Sequence, residues 1–176
     1  MKYLSLFSLL LMLASCGMKV PFTNNIKQEY GLDSEKEIKK VQFFTSSTLI
    51  LEKSKSSGNA GTDESGVLIS NSSKEQDRII IPVNSKCVFE GFAADSSMMI
   101  RFETGVGKTL SFASRPGQNN GKYYLVAVWK NSTGELKYGT ETYTVNSTGG
   151  NTHLLVVLKK IQNLKRKDRI VRGMKV

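Results

Sequence analysis

One histidine, two cysteines and one tryptophan in 176 residues leave this chain poorly furnished for the commonest hydrolytic and metal chemistries. A serine triad or a tetrahedral zinc site normally recruits histidine with cysteine or acidic partners, and His153 has neither beside it in sequence. His153 opens the run "HLLVVL" and reads as a strand-edge residue satisfied by backbone or solvent. There is no "GxSxG", and the carboxylates are scattered without a motif. The chain is therefore read as non-enzymatic, with no cofactor and no metal. It has no internal repeat. The apolar run from Tyr3 to Ala14, interrupted by Ser5 and Ser8, falls short of the roughly 20 residues a membrane-spanning helix requires.

One motif resembles a phosphate-binding loop. "GVGKT", Gly105 to Thr109, has the end of that pattern, but Phe102 stands where the first glycine belongs. The motif also needs a following helix to aim amides at phosphate, whereas "LSFASRPG" offers a short strand and a turn. A Gly-rich hairpin turn is the expected structure.

What the chain has in abundance is short apolar or alternating runs. After Lys40 come "VQFF", "TLILEK", "VLIS", "RIIIPV", "CVFEGF", "SMMIRFE", "TLSFA", "YYLVAVW", "YGTETYTV" and "HLLVVLKK", separated by Gly, Asn, Ser and Asp clusters. That pattern predicts an all-β domain, an antiparallel β-sandwich or small barrel. Hydrophobic content of 39% with 23% charged residues is that of a globular chain. One hairpin is expected over "MMIRFETGVGKTLSF", with Met98, Ile100 and Phe102 on one face and Met99, Arg101 and Glu103 on the other. A second turns at Asn131 to Gly134, with Trp129 near the turn. Ser54 to Gly66, "SKSSGNAGTDESG", reads as a loop between two strands. Strand alternation in "KCVFEGF" puts Cys87 beside Phe89 on one face, so Cys87 is expected to be a buried, inert thiol. The sequons at Asn71, Asn131 and Asn146 are expected to be loop asparagines.

The N-terminus carries a different kind of signal. Lys2 gives a short positive region, Tyr3 to Ala14 an apolar one, and Ala14-Ser15 the small residues a signal peptidase needs. Leu13-Ala14-Ser15-Cys16 resembles the lipobox of bacterial lipoproteins. The resemblance implies that residues 1–15 are removed, that Cys16 carries diacylglycerol on its thiol, and that several acyl chains hold the domain at the membrane. It leaves Cys87 without a disulfide partner in the chain. Gly17 is not the aspartate that commonly retains such proteins in the inner membrane, so the resemblance implies the outer membrane, facing the periplasm.

The expected organisation is then a lipid anchor and polar tether over 16–37, a β-domain over 38–160 and a basic C-terminal arm over 161–176. A short helix over "DSEKEIKK", capped by Asp33 or Ser34, is the one regular element expected in the tether. The net charge of +10 is concentrated at the end: Lys159, Lys160, Lys165, Arg166, Lys167, Arg169, Arg172 and Lys175 face the single carboxylate Asp168, a local +7. Lys165, Arg166, Lys167 and Arg169 are the candidate residues for an acidic partner or an anionic lipid surface, with a solvated extension as the alternative. Nucleic acid is not expected as a partner.

By architecture the chain resembles the small β-domain lipoproteins of trans-envelope secretion machines, type VI systems included. The resemblance implies a structural or assembly subunit with envelope protein partners. The alternative is a glycan- or lipid-binding module with a cleft lined by Tyr123, Tyr124 and Trp129, to which Tyr138 or Tyr143 could contribute.

Overall fold

The computed structural model describes residues 17–62, 68–115, 117, 121–165 and 174. Two antiparallel sheets, of seven and five strands, face one another across a shared core and do not close into a barrel, so the sandwich is the form adopted. The seven-stranded sheet runs β1 (Lys19–Pro21), β12 (Leu154–Val157), β2 (Gln42–Thr45), β5 (Lys86–Phe92), β6 (Met98–Arg101), β7 (Thr109–Ser114) and β8 (Tyr123–Leu125). The five-stranded sheet runs β4 (Leu68–Ile81), β3 (Leu49–Thr62), β11 (Glu141–Asn146), β10 (Thr133–Tyr138) and β9 (Val128–Lys130).

Alternation of apolar and polar residues dictates most of this. In β5, Cys87, Phe89 and Gly91 point inward while Lys86, Val88 and Glu90 point out. In β6, Met98 and Ile100, which alternation puts on one face, are buried. Leu136 and Tyr138 of β10 meet Tyr143 and Val145 of β11 on the inner face of the other sheet. The chain changes sheets between β8 and β9, at Val126 and Ala127. It returns through α3 (Ser147–Gly150), whose first turn is capped by Asn146 accepting from the Gly149 amide at 2.8 Å. "YYLVAVW" is thus two strands in two sheets.

The sheets are also latched at their turns. The β6–β7 hairpin carries "GVGKT", and the Gly139 amide of the β10–β11 turn donates to the Gly107 carbonyl at 2.8 Å. Gly107 has φ +68°, and a Cβ there would stand 2.8 Å from the Gly139 carbonyl oxygen, so two requirements fall on one glycine.

The expected tether is folded. β1 pairs with β12 in the register Lys19↔Val157, Val20↔Val156, Pro21↔Leu155. Phe22 follows, fully buried, its ring centroid 5.1 Å from those of Phe43 and Tyr123. Thr23 caps α1 (Asn24–Glu29), and Ser34 caps α2 (Glu35–Ile38), the helix expected over "DSEKEIKK". Leu32 and Ile38 are buried as well. The segment has no apolar period because it crosses a strand, two short helices and the turns between them within twenty residues. The boundary at residue 38 is therefore displaced to the start of β1.

The other end needs the same correction. β12 passes directly into α4 (Leu158–Lys165), and Ile161 is 2% exposed in the core, so the domain does not stop at residue 160. The Ser54 to Gly66 loop is corrected too: residues 54–62 continue β3, which pairs with β4 through Thr62↔Leu68. Leu68–Ser70 of "VLIS" and Arg78–Ile81 of "RIIIPV" are the two ends of that one β4 strand, and residues 63–67 lie outside the described residues. Asn71 sits within β4 rather than in a loop; Asn131 does occupy the β9–β10 turn, and Asn146 ends β11 and caps α3.

Phe22→Ala separates a folded N-terminal segment from a tether. Removing a fully buried phenylalanine is expected to cost about 3–5 kcal/mol in urea or guanidinium unfolding, whereas a tether residue would cost nothing measurable.

Candidate functional site

Strand alternation separates the three residues of the expected aromatic cleft. Tyr123 points inward from β8, 7% exposed against Phe22, and burial raises its hydroxyl above the usual range. It is core, not cleft. Tyr138 and Tyr143 are core residues too, at 2% and 6% exposed.

Tyr124 points out. The Arg115 guanidinium lies over its ring at 4.4 Å, and the His153 imidazole meets it edge-on at 5.6 Å. Arg115 also donates to the Gly150 carbonyl. Gly150 lies directly beneath the indole of Trp129, where a Cβ would come within 2.3 Å of the ring. Trp129 keeps 38% of its surface exposed. Arg115, Trp129, Ser147, Gly150 and Asn151 line an open depression of about 320 Å3. Arg115, absent from the expected set, joins the Trp129 depression to Tyr124. Its place in "SFASRPG" gave no hint of this, because the contact crosses from β7 to α3.

His153 behaves as a strand-edge histidine. It bridges to Tyr124, its amide donates to Ser46 Oγ at 2.9 Å, and its Nδ1 lies 3.3 Å from the Asn151 carbonyl. Burial holds the imidazole below its ordinary pKa, so it is neutral at pH 7.

A larger cleft of about 600 Å3 opens where β7 and β10 face one another beside the crossover, with Asp95, Thr109, Ser111, Glu135 and Lys137 among its lining. Asp95 accepts from the amide and hydroxyl of Ser97 at 3.0 and 2.6 Å, and these bonds hold its carboxyl below the usual range. Glu135 and Lys137 are the exposed residues of β10 at this cleft, and alternation along β10 does not encode which strand of the other sheet lies beside it. Strands of different sheets have no sequence register.

"GVGKT" does not form a phosphate cradle. β7 follows it instead of a helix, and Lys108 is engaged locally: its ammonium is 3.3 Å from Glu103 Oε1 and 4.8 Å from the Tyr138 ring centroid. Tyr138 donates its hydroxyl to the same Glu103 oxygen at 3.0 Å. Cys87 is 2% exposed, and burial pushes its thiol up to about 12, so almost none is thiolate at pH 7. Among the described residues no group of three or more His, Cys, Asp or Glu side chains is placed to hold a metal ion, and no helix is long and apolar enough to cross a membrane.

Cys16 and the basic residues Arg166, Lys167 and Arg169 lie outside the described residues. Lys165 is the last residue of α4. What is described is the chain on either side of them. Gly17 packs against Val157, where an added Cβ would come within 2.6 Å of Cγ1, and Val157 is the residue paired with Lys19. The segment leaving Cys16 and the segment entering the basic C-terminus therefore meet at one end of one ladder. The chain matches no protein-family model, no curated protein and no solved structure.

Proposed function

We propose that this chain is an outer-membrane-anchored periplasmic lipoprotein that serves as a structural or assembly subunit of a cell-envelope complex, secretion assemblies being the class its architecture resembles. The observation that carries the reading is Leu13-Ala14-Ser15-Cys16 behind Lys2 and an apolar run. The β-domain adds a rigid body that begins three residues after that cysteine, at Lys19. Its outer surfaces offer contact sites for a partner: Ile80 of β4 and Val128 of β9 are 57% and 68% exposed on the two edge strands of the smaller sheet. An acylated cysteine supplies the attachment, and the sandwich supplies the shape.

Cys16→Ala is expected to abolish incorporation of a labelled lipid precursor and to release the protein from firm membrane attachment, since among the described residues no helix is long and apolar enough to replace several buried acyl chains at ~0.8 kcal/mol per CH2. Fractionation of envelopes checks this. Unchanged detergent-dependent attachment of the variant, with no lipid on the wild type, would remove the basis of the proposal.

The glycan- or lipid-binding reading keeps one specific observation in its favour, the half-open Trp129 face beside Arg115, Ser147 and Asn151. An indole face with flanking donors suits a sugar ring. Trp129 is the single tryptophan, so its emission reports on this depression alone. Saturable quenching by soluble envelope glycan fragments, lost in Arg115→Ala, is the outcome this second reading expects; emission indifferent to every fragment counts against it.

A further inference from the structure

The β1–β12 ladder fixes how the body must sit if Cys16 is acylated. From Cys16 to Lys19 the chain has three residues, which at full extension span only about 10–11 Å. Lys19 is already held in register against Val157, and Gly17 is packed on the Val157 side chain. The domain is therefore within about one headgroup layer of its anchor, and the surface around Lys19 must confront the bilayer. Two and three residues past Val157 stand Lys159 and Lys160, both exposed on α4.

The two segments that meet there are one-sided in charge. The sequence has no carboxylate from Gly17 to Gln28, and none from Thr142 to Lys167. Met18 is 83% exposed. α4 turns Ile161 into the core and directs Gln162 to the Tyr30 hydroxyl at 3.2 Å. That orientation leaves Lys160 and Leu164, four residues apart and so on one flank, facing away from Tyr30, with Leu164 49% exposed. Lys19 is partly exposed, its ammonium 4.7 Å above the Phe44 ring. Cations with interspersed apolar side chains, close to an acyl anchor, are the composition of a surface that rests on anionic headgroups.

We propose that Met18, Lys19, Lys159, Lys160 and Leu164 form a membrane-seating surface that docks the domain on anionic phospholipid and fixes its orientation to the bilayer. The proposal rests on acylation of Cys16. Acyl chains alone would let the body swivel about Gly17; the cations add a second point of attachment and remove that freedom.

The test uses the full lipidated chain carrying Leu164→Cys and an environment-sensitive fluorophore. Cys87 is buried and Cys16 is acylated, so the label goes to one place. The protein is reconstituted into vesicles of phosphatidylcholine alone or with phosphatidylglycerol, and lipid on Cys16 is verified by mass. A blue shift with phosphatidylglycerol is expected, absent in neutral vesicles. It should be lost in Lys159→Glu/Lys160→Glu, and reduced between 0.1 and 1 M salt as the Debye length falls from about 10 to about 3 Å. Identical emission in both vesicles, with the lipid in place, overturns the seating surface and leaves the lipoprotein reading standing. A shift seen in native envelopes but not with phosphatidylglycerol also overturns it, assigning the surface to an envelope protein. Unmodified Cys16 removes the lipoprotein reading and the proposal with it.

Discussion

The short ladder of Lys19–Pro21 against Leu155–Val157 is the constraint on which the rest of this molecule depends. It is three residues long, at the edge of a seven-stranded sheet, yet it ties the first and last described elements to the core. On one side it delivers Phe22 to a cluster with Phe43 and Tyr123. On the other it sets the start of α4, so that Ile161 reaches the same interior. A strand this short is marginal by its backbone bonds alone; burial of the aromatic that follows it supplies the stabilisation.

That constraint changes the meaning of the proposed anchor. A lipoprotein with a long polar tether explores a wide volume below its membrane, and the orientation of its domain carries no information. With the body starting at Lys19, the anchor becomes a hinge of a few residues, and the surface chemistry beside it becomes consequential. Elsewhere on the described surface, six cations pair with carboxylates, among them Arg101–Glu90 at 2.6 Å, Lys39–Glu35 at 3.1 Å and Arg78–Glu52 at 3.3 Å. Such exposed pairs add little to stability, about 0–1 kcal/mol each, but they cancel local fields. The carboxylate-free stretches at 17–28 and 142–167 have no acidic residue of their own to do so.

The sandwich was legible where side chains alternate. β5, β6, β10 and β11 bury the residues that a period of two selects, and Cys87 lies on the inward face read from "KCVFEGF". Three features were not legible, each for a physical reason. Residues 17–38 hold too few consecutive residues in any one element to show a period, so Val20, Phe22, Leu32 and Ile38 look unrelated in sequence. Residues 54–62 are rich in Ser and Gly because a long two-stranded ladder is held by its backbone, which leaves no hydrophobic signature. Tyr123 and Tyr124 do not line one cleft because adjacent residues in a strand cannot share a face: Tyr123 goes to the core and Tyr124 to the surface with Arg115.

The chain after Cys16 is part of the fold, and amide hydrogen exchange measures this directly. The amides that β1 and Phe22 commit to the ladder, among them Phe22 N bonded to the Leu154 carbonyl at 2.8 Å, should be protected to the same order as those of β12, opening only with the domain. Exchange of the Val20 and Phe22 amides, the ones directed at β12, at the rate of an unstructured peptide, with β12 still protected, would contradict it.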